Sequence, residues 1–186
     1  MRIISGDLKG KKISFSNSIV TRPLKDMVRE SIFNIILHSN LIDVTIKNSM
    51  VLDLYSGTGS FGIECVSRGA KKVVFVENDK RTLEVLKKNL EKLSIKNKTS
   101  LFPLEVKSFL DQFNESNKFD IIFFDPPFTN EKFKNELRLI KQLKIFSKKN
   151  LVIIHTEEKK NQNFSNLLKI LTTKKYGRSK ITFGVF

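Results

Sequence analysis

The sequence predicts an α/β fold, a mostly parallel sheet with helices on both faces. Three observations predict it. From about residue 49, strand-like and helix-like segments alternate. The strand segments "MVLDL", "KVVFVE", "FDIIFFD" and "NLVIIHTE" are continuous apolar runs, as expected of strands covered on both faces. With 186 residues, 40% of them apolar, the chain is long enough for one substantial core.

The elements follow in order. "MRII" and "KKISF" flank "SGDLKG", whose glycines suit a turn, and read as an N-terminal hairpin. "TRPLKDMVRESIFNIILH" places Met27, Val28, Ile32, Ile35 and Ile36 at helical spacing, with Pro23 in its first turn. Arg22, Lys25 and Arg29 fall on its other face. "MVLDL" is the first sheet strand, "YSGTGSFG" a glycine turn, and "FGIECVSRGA" a helix stopped by Gly69. "KVVFVE" is a strand and "DKRTLEVLKKNLEKL" an amphipathic helix. "TSLFPL" reads as a weak strand and "VKSFLDQF" as a short helix. "FDIIFFD" is a strand, "KFKNELRLIKQL" a helix and "NLVIIHTE" a strand. The tail reads as a helix near "FSNLLKIL" and a closing antiparallel hairpin of "TTKKYG" and "KITFGVF". No linker or repeat divides the chain. Residues 1–186 are therefore expected to form a single domain, with 1–40 a hairpin-and-helix extension and 41–186 the core.

The 34 Lys and Arg against 19 Asp and Glu give 34 − 19 = +15, which favours a polyanionic partner, nucleic acid first. Lysine-rich composition drift is the bland alternative, and it would scatter the charge over all faces. A lone cysteine, Cys65, excludes an internal disulfide framework and a cysteine zinc site, and reads as a small core residue. His38 and His155 lie far apart and form no ligand pair. His38, near a helix end, complements the helix dipole. His155 is expected to be structural or at the surface. No run of about 18 apolar residues and no signal-peptide core is present, so the expected setting is cytoplasmic, with a monomer as default.

Two stretches carry chemistry. In "VLDLYSGTGSFG", Gly57 and Gly59 let a ligand approach the backbone. The turn has no lysine, so it is not a P-loop. Gly57, Gly59 and Gly62 formally match G-x-G-x-x-G, which keeps a nicotinamide dinucleotide as a rival ligand. Glu77, at the end of the second sheet strand, could accept both hydroxyls of a ribose. Asp53, before the turn, suits a cationic group and disfavours a phosphate. S-adenosylmethionine, a cationic amino acid joined to a nucleoside, meets both conditions.

The second stretch is "FFDPPF". Asp125 ends a strand on the same edge, Pro126 and Pro127 stiffen the elbow, and Phe128 offers a ring on which a nucleobase could stack. A carboxylate and a main-chain carbonyl can orient an exocyclic amine, and Asp125 would stabilise the positive charge that develops as the amine is methylated. A rigid loop with Asp125 as a cap is the bland alternative.

In this order, "DLYSGTGSFGIE", "VEND" and "DPPF" resemble the class I S-adenosylmethionine-dependent N-methyltransferases, whose fold is Rossmann-like. "MRIISGDLKGKKI", "TRPLKDMVRESIFNIIL", "LDLYSGTGSFGIECVSRGAKKVVFVE", "FDIIFFDPPF" and the tail "KKYGRSKITF" resemble, over nearly the whole chain, the bacterial 16S ribosomal RNA guanine-N2 methyltransferase family. The resemblance implies a seven-stranded sheet with one antiparallel strand. It implies S-adenosylmethionine at Asp53, Tyr55, Gly57, Gly59, Glu77, Asn78 and Glu105, and a target base at Asp125, Pro126, Pro127 and Phe128. It implies ribosomal RNA as partner, within a small-subunit particle or assembly intermediate, contacted by the hairpin (Arg2, Lys9, Lys11) and the following helix (Arg22, Lys25, Arg29). Glu105 departs from the family, which has Asp there, and Tyr55 and Ser56 stand where Phe or Ala is more usual. Adenine N6, a DNA target and a non-catalytic RNA-binding module remain open from the residues alone.

Overall fold

The computed structural model describes residues 1–15, 24, 26–113, 118–127, 133–159 and 163–186. Arg22, Pro23, Lys25 and Phe128 lie outside the described residues. The elements are α1 Asp26–His38, β1 Met50–Leu54, α2 Ser60–Ser67, β2 Lys72–Val76, α3 Lys80–Lys92, β3 Thr99–Phe102, α4 Val106–Gln112, β4 Phe119–Phe124, α5 Phe133–Leu143, β5 Phe146–Glu157, β6 Lys169–Tyr176 and β7 Ser179–Val185. A short 3-10 turn, Lys96–Lys98, precedes β3.

Among the described residues the strands form one seven-stranded sheet in the order β3-β2-β1-β4-β5-β7-β6. β1 pairs in parallel with β2 on one side and β4 on the other, and β5 continues in parallel from β4. β7 is antiparallel to both its neighbours, so it alone runs against the rest. The chain winds outward from β1 to β3 and then returns to β4. That reversal opens a crevice between the carboxyl ends of β1 and β4, where open α/β sheets bind ligands.

Both faces of the sheet are covered, which is why its strands read as unbroken apolar runs. Val51, Phe75, Ile121, Phe123, Leu151 and Ile153 face a core shared with α1, α2 and α3. Leu52, Val74, Ile122, Phe124, Val152 and Ile154 face a second core shared with α4 and α5. Phe61 of α2 stacks on Phe33 of α1 at 5.2 Å and on Phe123 of β4 at 4.1 Å, joining three elements through one ring. Such pairs contribute about 0.5–1.5 kcal/mol each beyond area burial. Cys65 is a buried core residue of α2.

The N-terminal hairpin is short: an antiparallel bridge of Arg2 to Lys12, with Ile3 N–H on Lys11 O at 3.0 Å, Ile13 N–H on Met1 O at 3.0 Å and Gly10 N–H on Ile3 O at 2.9 Å. Side chains of the core, with one backbone bond from Asp7 N–H to Ser67 O at 2.8 Å, then tie this hairpin arm to α2. The buried carboxylate of Glu64 accepts the backbone N–H groups of Ile4 (2.8 Å) and Ser5 (2.9 Å), with Arg68 Nε at 2.8 Å. Ser67 Oγ accepts Leu8 N–H at 3.0 Å and donates to Ser5 O at 2.5 Å. Ile3 and Ile13 are buried beneath the arm.

Three expectations are corrected. Around "FSNLLKIL" there is no helix. Leu167 and Leu168 N–H both close a turn on Phe164 O, and Lys169 already begins β6. The pairing of Ile170, Thr172 and Thr173 along β7 outweighs the helical spacing of the leucines, as tertiary context commonly does for β-branched residues. Met27, placed on the apolar face of α1, is 65% exposed, and the buried face is Val28, Ile32, Phe33 and Ile36.

The third correction is Arg29. It is fully buried and cannot contact RNA phosphates. Its guanidinium donates to Arg2 O at 2.5 Å, to Asp26 Oδ1 at 3.1 Å and to Met1 Sδ at 2.8 Å. Burial pulls its pKa below the ordinary value, against the pull of Asp26 and Glu64. Its position within the i, i+4 row of Val28, Ile32, Phe33 and Ile36 directs it into the core.

Two predictions follow from this packing. A Cβ at Gly62 would sit 2.3 Å from the Phe75 ring, so Gly62→Ala should force α2 off β2. Urea unfolding should show a loss of about 1–3 kcal/mol, the usual overpacking cost, and unchanged stability would refute the contact. Arg29→Met should lower stability by a similar amount, about 1–3 kcal/mol, through the groups it leaves unpaired. The salt dependence of RNA binding should stay the same, because a buried arginine releases no counterions; a shallower slope would return Arg29 to the surface.

Candidate active site

Side-chain alternation decides which face of the sheet the strand-end acids share. Asp53 follows the parity of Val51, Glu77 that of Phe75, Asp125 that of Phe123 and His155 that of Ile153, all on the α1–α2–α3 side. Backbone pairing carries past the strand ends, with Glu77 N–H on Phe102 O at 3.2 Å and Asp125 N–H on Leu54 O at 3.3 Å. Asp53, Glu77, Asp125 and His155 are thereby aligned on one rim of the crevice.

Asp53 is sealed in. Its Oδ2 accepts Gly62 N–H at 2.9 Å, in the first turn of α2, while its Oδ1 is buried with no hydrogen-bond partner among the described residues. Burial pushes its pKa well up, the Gly62 N–H opposes this, and the charges of Asp125 and Glu77 add to it. Glu77, also buried, holds the glycine turn. Its Oε2 accepts Gly57 N–H at 2.8 Å, and its Oε1 accepts Asn78 N–H and Asp79 N–H, both at 2.9 Å. A carboxylate offers about four acceptor positions, so three are occupied and one is left on Oε2. A ribose on Glu77 would share that carboxylate with the turn.

The turn is built for close approach. Gly57 has φ +55, and a Cβ there would meet nothing within 4 Å, so its backbone faces open space. Gly59 caps the start of α2. Asn89 of α3 donates to Thr58 O at 3.1 Å and to Ser14 O at 2.9 Å, and accepts Ser14 N–H at 2.9 Å, tying the turn to the N-terminal arm. Tyr55 is held at φ 58, a conformation that side chains other than glycine adopt at a cost of about 1–2 kcal/mol. Its hydroxyl donates to Glu136 Oε2 of α5. Burial raises the Glu136 pKa, the Tyr55 bond opposes this, and the charge of Glu105 adds to it. Glu105 is exposed at the N-cap of α4 and makes no side-chain cap bond. Asn78 is exposed beside Glu77.

At the β4 tip, Asp125 Oδ1 lies 2.7 Å from His155 Nδ1, and His155 Nε2 lies 2.9 Å from Ser179 Oγ. Pro126 is buried and Pro127 exposed, while Phe128 lies outside the described residues. Of the expected RNA contacts, Arg2, Lys9 and Lys11 are exposed on the arm, whereas Arg22 and Lys25 lie outside the described residues.

Sequence reasoning missed the His155–Asp125 pair, Glu136 and Asn89. The first had a signal. "FDIIFFD" and "NLVIIHTE" are neighbouring apolar runs that each end in a titratable group, and parallel pairing sets those groups side by side. Glu136 and Asn89 lie on helices, and only the packed structure shows what they reach.

A family model described as "Conserved hypothetical protein 95" matches residues 1–185. The relative named "Ribosomal RNA small subunit methyltransferase D" from Buchnera aphidicola subsp. Acyrthosiphon pisum is 35% identical over 159 residues, 86% of this chain and 79% of that one. The Haemophilus influenzae protein of the same name is 35% identical over 167 residues, 86% of this chain and 80% of that one. The solved Escherichia coli structure named for the methyltransferase yhhF superposes with a TM-score of 0.84 at 24% identity, over 99% of this chain and 96% of that one, a likeness of fold. The chain belongs to the family that this model describes and these methyltransferases share.

Proposed function

We propose that the protein transfers a methyl group from S-adenosylmethionine to the exocyclic N2 amine of a guanine in 16S ribosomal RNA. The observation that carries this reading is the placement of Asp125 on the same rim and face as Asp53 and Glu77. A base amine and a cationic nucleoside would meet there.

The residues present fit S-adenosylmethionine. The space over Gly57 admits a ligand against the backbone, and the unpartnered Oδ1 of Asp53 suits a cationic group. Asp53, Tyr55, Gly57, Gly59, Glu77, Asn78 and Glu105 would hold it, with one ribose hydroxyl on the remaining acceptor position of Glu77. When bound, it supplies an electrophilic methyl group on a sulfonium. Glu105 keeps a carboxylate acceptor where the family has Asp.

Asp125 has the task of the amine. Its Oδ1 is engaged by His155, and no described residue bonds its Oδ2. That oxygen accepts an N–H of the amine and stabilises the positive charge that develops on nitrogen. Pro126 and Pro127 fix the elbow, and Phe128 supplies a stacking surface for the base. Arg2, Lys9 and Lys11, with Arg22 and Lys25, bind phosphates. The choice of guanine N2 over adenine N6 rests on the family alone. The expected substrate is a small-subunit particle or assembly intermediate, and the expected enzyme a cytoplasmic monomer. No helix among the described residues is long and apolar enough to cross a membrane.

The test is mass spectrometry of ribosomal RNA nucleosides from cells with and without this protein. N2-methylguanosine should fall in the small-subunit RNA of cells lacking it; loss of N6-methyladenosine instead would reassign the base. Asp125→Ala should lower kcat by about 100-fold or more, the scale of one lost electrostatic stabiliser. Its affinity for S-adenosylhomocysteine by calorimetry should be little changed. Full turnover in that variant would sink the role given to Asp125.

A further inference from the structure

We propose that His155, braced by Ser179, is a positioning residue for Asp125: it fixes Oδ1 so that Oδ2 is presented to the substrate amine. This rests on the reading of Asp125 as the group that receives the amine.

The arrangement follows from strand register. Phe124 of β4 pairs with Ile154 of β5, so the next residues on each strand, Asp125 and His155, stand side by side. Across the antiparallel boundary His155 pairs with Ile181 and Glu157 with Ser179, which puts Ser179 one diagonal step away on the same face. The result is a chain of two hydrogen bonds, Asp125 Oδ1 to His155 Nδ1 at 2.7 Å and His155 Nε2 to Ser179 Oγ at 2.9 Å. The imidazole side chain is 9% exposed and the Asp125 side chain 23%, so the joint lies inside and the free end of the carboxylate lies outside.

Chemistry sets the direction of each bond. A carboxylate only accepts, so Nδ1 carries a proton. In the neutral ring Nε2 then accepts from the Ser179 hydroxyl, which holds the ring against rotation as a carboxylate does for a catalytic histidine. Shielding from water strengthens such a charge-assisted bond. Asp125 needs this restraint because it shares the rim with the carboxyl groups of Asp53 and Glu77, and its charge and ionisation of Asp53 oppose each other. Without His155 the carboxylate would spread over several rotamers, and a displacement of about 1 Å from the reacting geometry costs on the order of 100-fold in rate.

The proposal is tested with purified full-length protein on small-subunit RNA or particles. His155→Leu, which removes the donor, should lower kcat by roughly 10- to 100-fold, within that positional cost. KM for RNA and affinity for S-adenosylhomocysteine should change little. His155→Asn, which keeps an N–H near the position of Nδ1, should recover much of the loss, and Ser179→Ala should lose less than His155→Leu. In an Asp125→Ala background, His155→Leu should add no further loss, since it acts through Asp125. Nitrogen NMR of the intact protein should show His155 protonated at Nδ1. Full kcat in a folded His155→Leu variant, an asparagine no better than leucine, or a ring protonated at Nε2 alone would overturn the proposal. If instead Asp125→Ala itself keeps full turnover, the reading of Asp125 fails and this one with it; an inactive Asp125→Ala beside an active His155→Leu removes only the histidine.

Discussion

Glu77 gathers three backbone N–H groups, from Gly57, Asn78 and Asp79, onto one buried carboxylate. The crevice depends on this cluster. The turn after β1 has no ladder of its own, and a glycine at φ +55 costs entropy to order. An anion at the tip of the neighbouring strand fixes that turn before any ligand arrives. From the other side Asp53 does the same for the start of α2, through Gly62 N–H. The two acids that sequence reasoning assigned to ligand binding are first of all structural. What each retains for a ligand is one acceptor position on Glu77 Oε2 and one oxygen on Asp53.

The acids also create an electrostatic division in a chain of net charge +15. Asp53, Glu77 and Asp125 interact closely enough that the charges of the other two raise the pKa of Asp53. An anionic rim repels phosphate and favours a sulfonium or ammonium group, whereas the exposed Arg2, Lys9 and Lys11 of the arm favour phosphate. The strand-end acids therefore argue against a nicotinamide dinucleotide, whose pyrophosphate needs the N–H groups at the start of α2, one of which Asp53 already holds. This physical reason stands apart from the family match.

The fold was legible because both faces of the sheet are buried, which leaves long apolar runs for the inner strands, and because glycines and strand-end acids punctuate those runs. The rim was legible for the same reason: Asp53, Glu77 and Asp125 each interrupt an apolar run near its carboxyl end. Features set by distant contact were not legible. Arg29 looks like a surface cation in one dimension, but its donors reach the backbone of the N-terminal arm. "FSNLLKIL" has helical spacing, but β7 offers an edge to pair with. His155 looks isolated until β4 and β5 are set in register.

The N-terminal arm joins these threads. Glu64 and Ser67 hold it on α2, and Asn89 bonds both Ser14 of the arm and Thr58 of the glycine turn. Each restraint uses a side chain from a helix that packs on the same face of the sheet as Asp53 and Asp125. The basic residues of the arm are thus fixed in the same frame as the crevice, through the side chains of Arg29, Glu64, Ser67 and Asn89. A long polyanion held on that arm would present its bases to the rim at a set distance. On the proposed reading, selecting one nucleotide would be a matter of where the arm holds the backbone, with Asp125 meeting the amine that arrives.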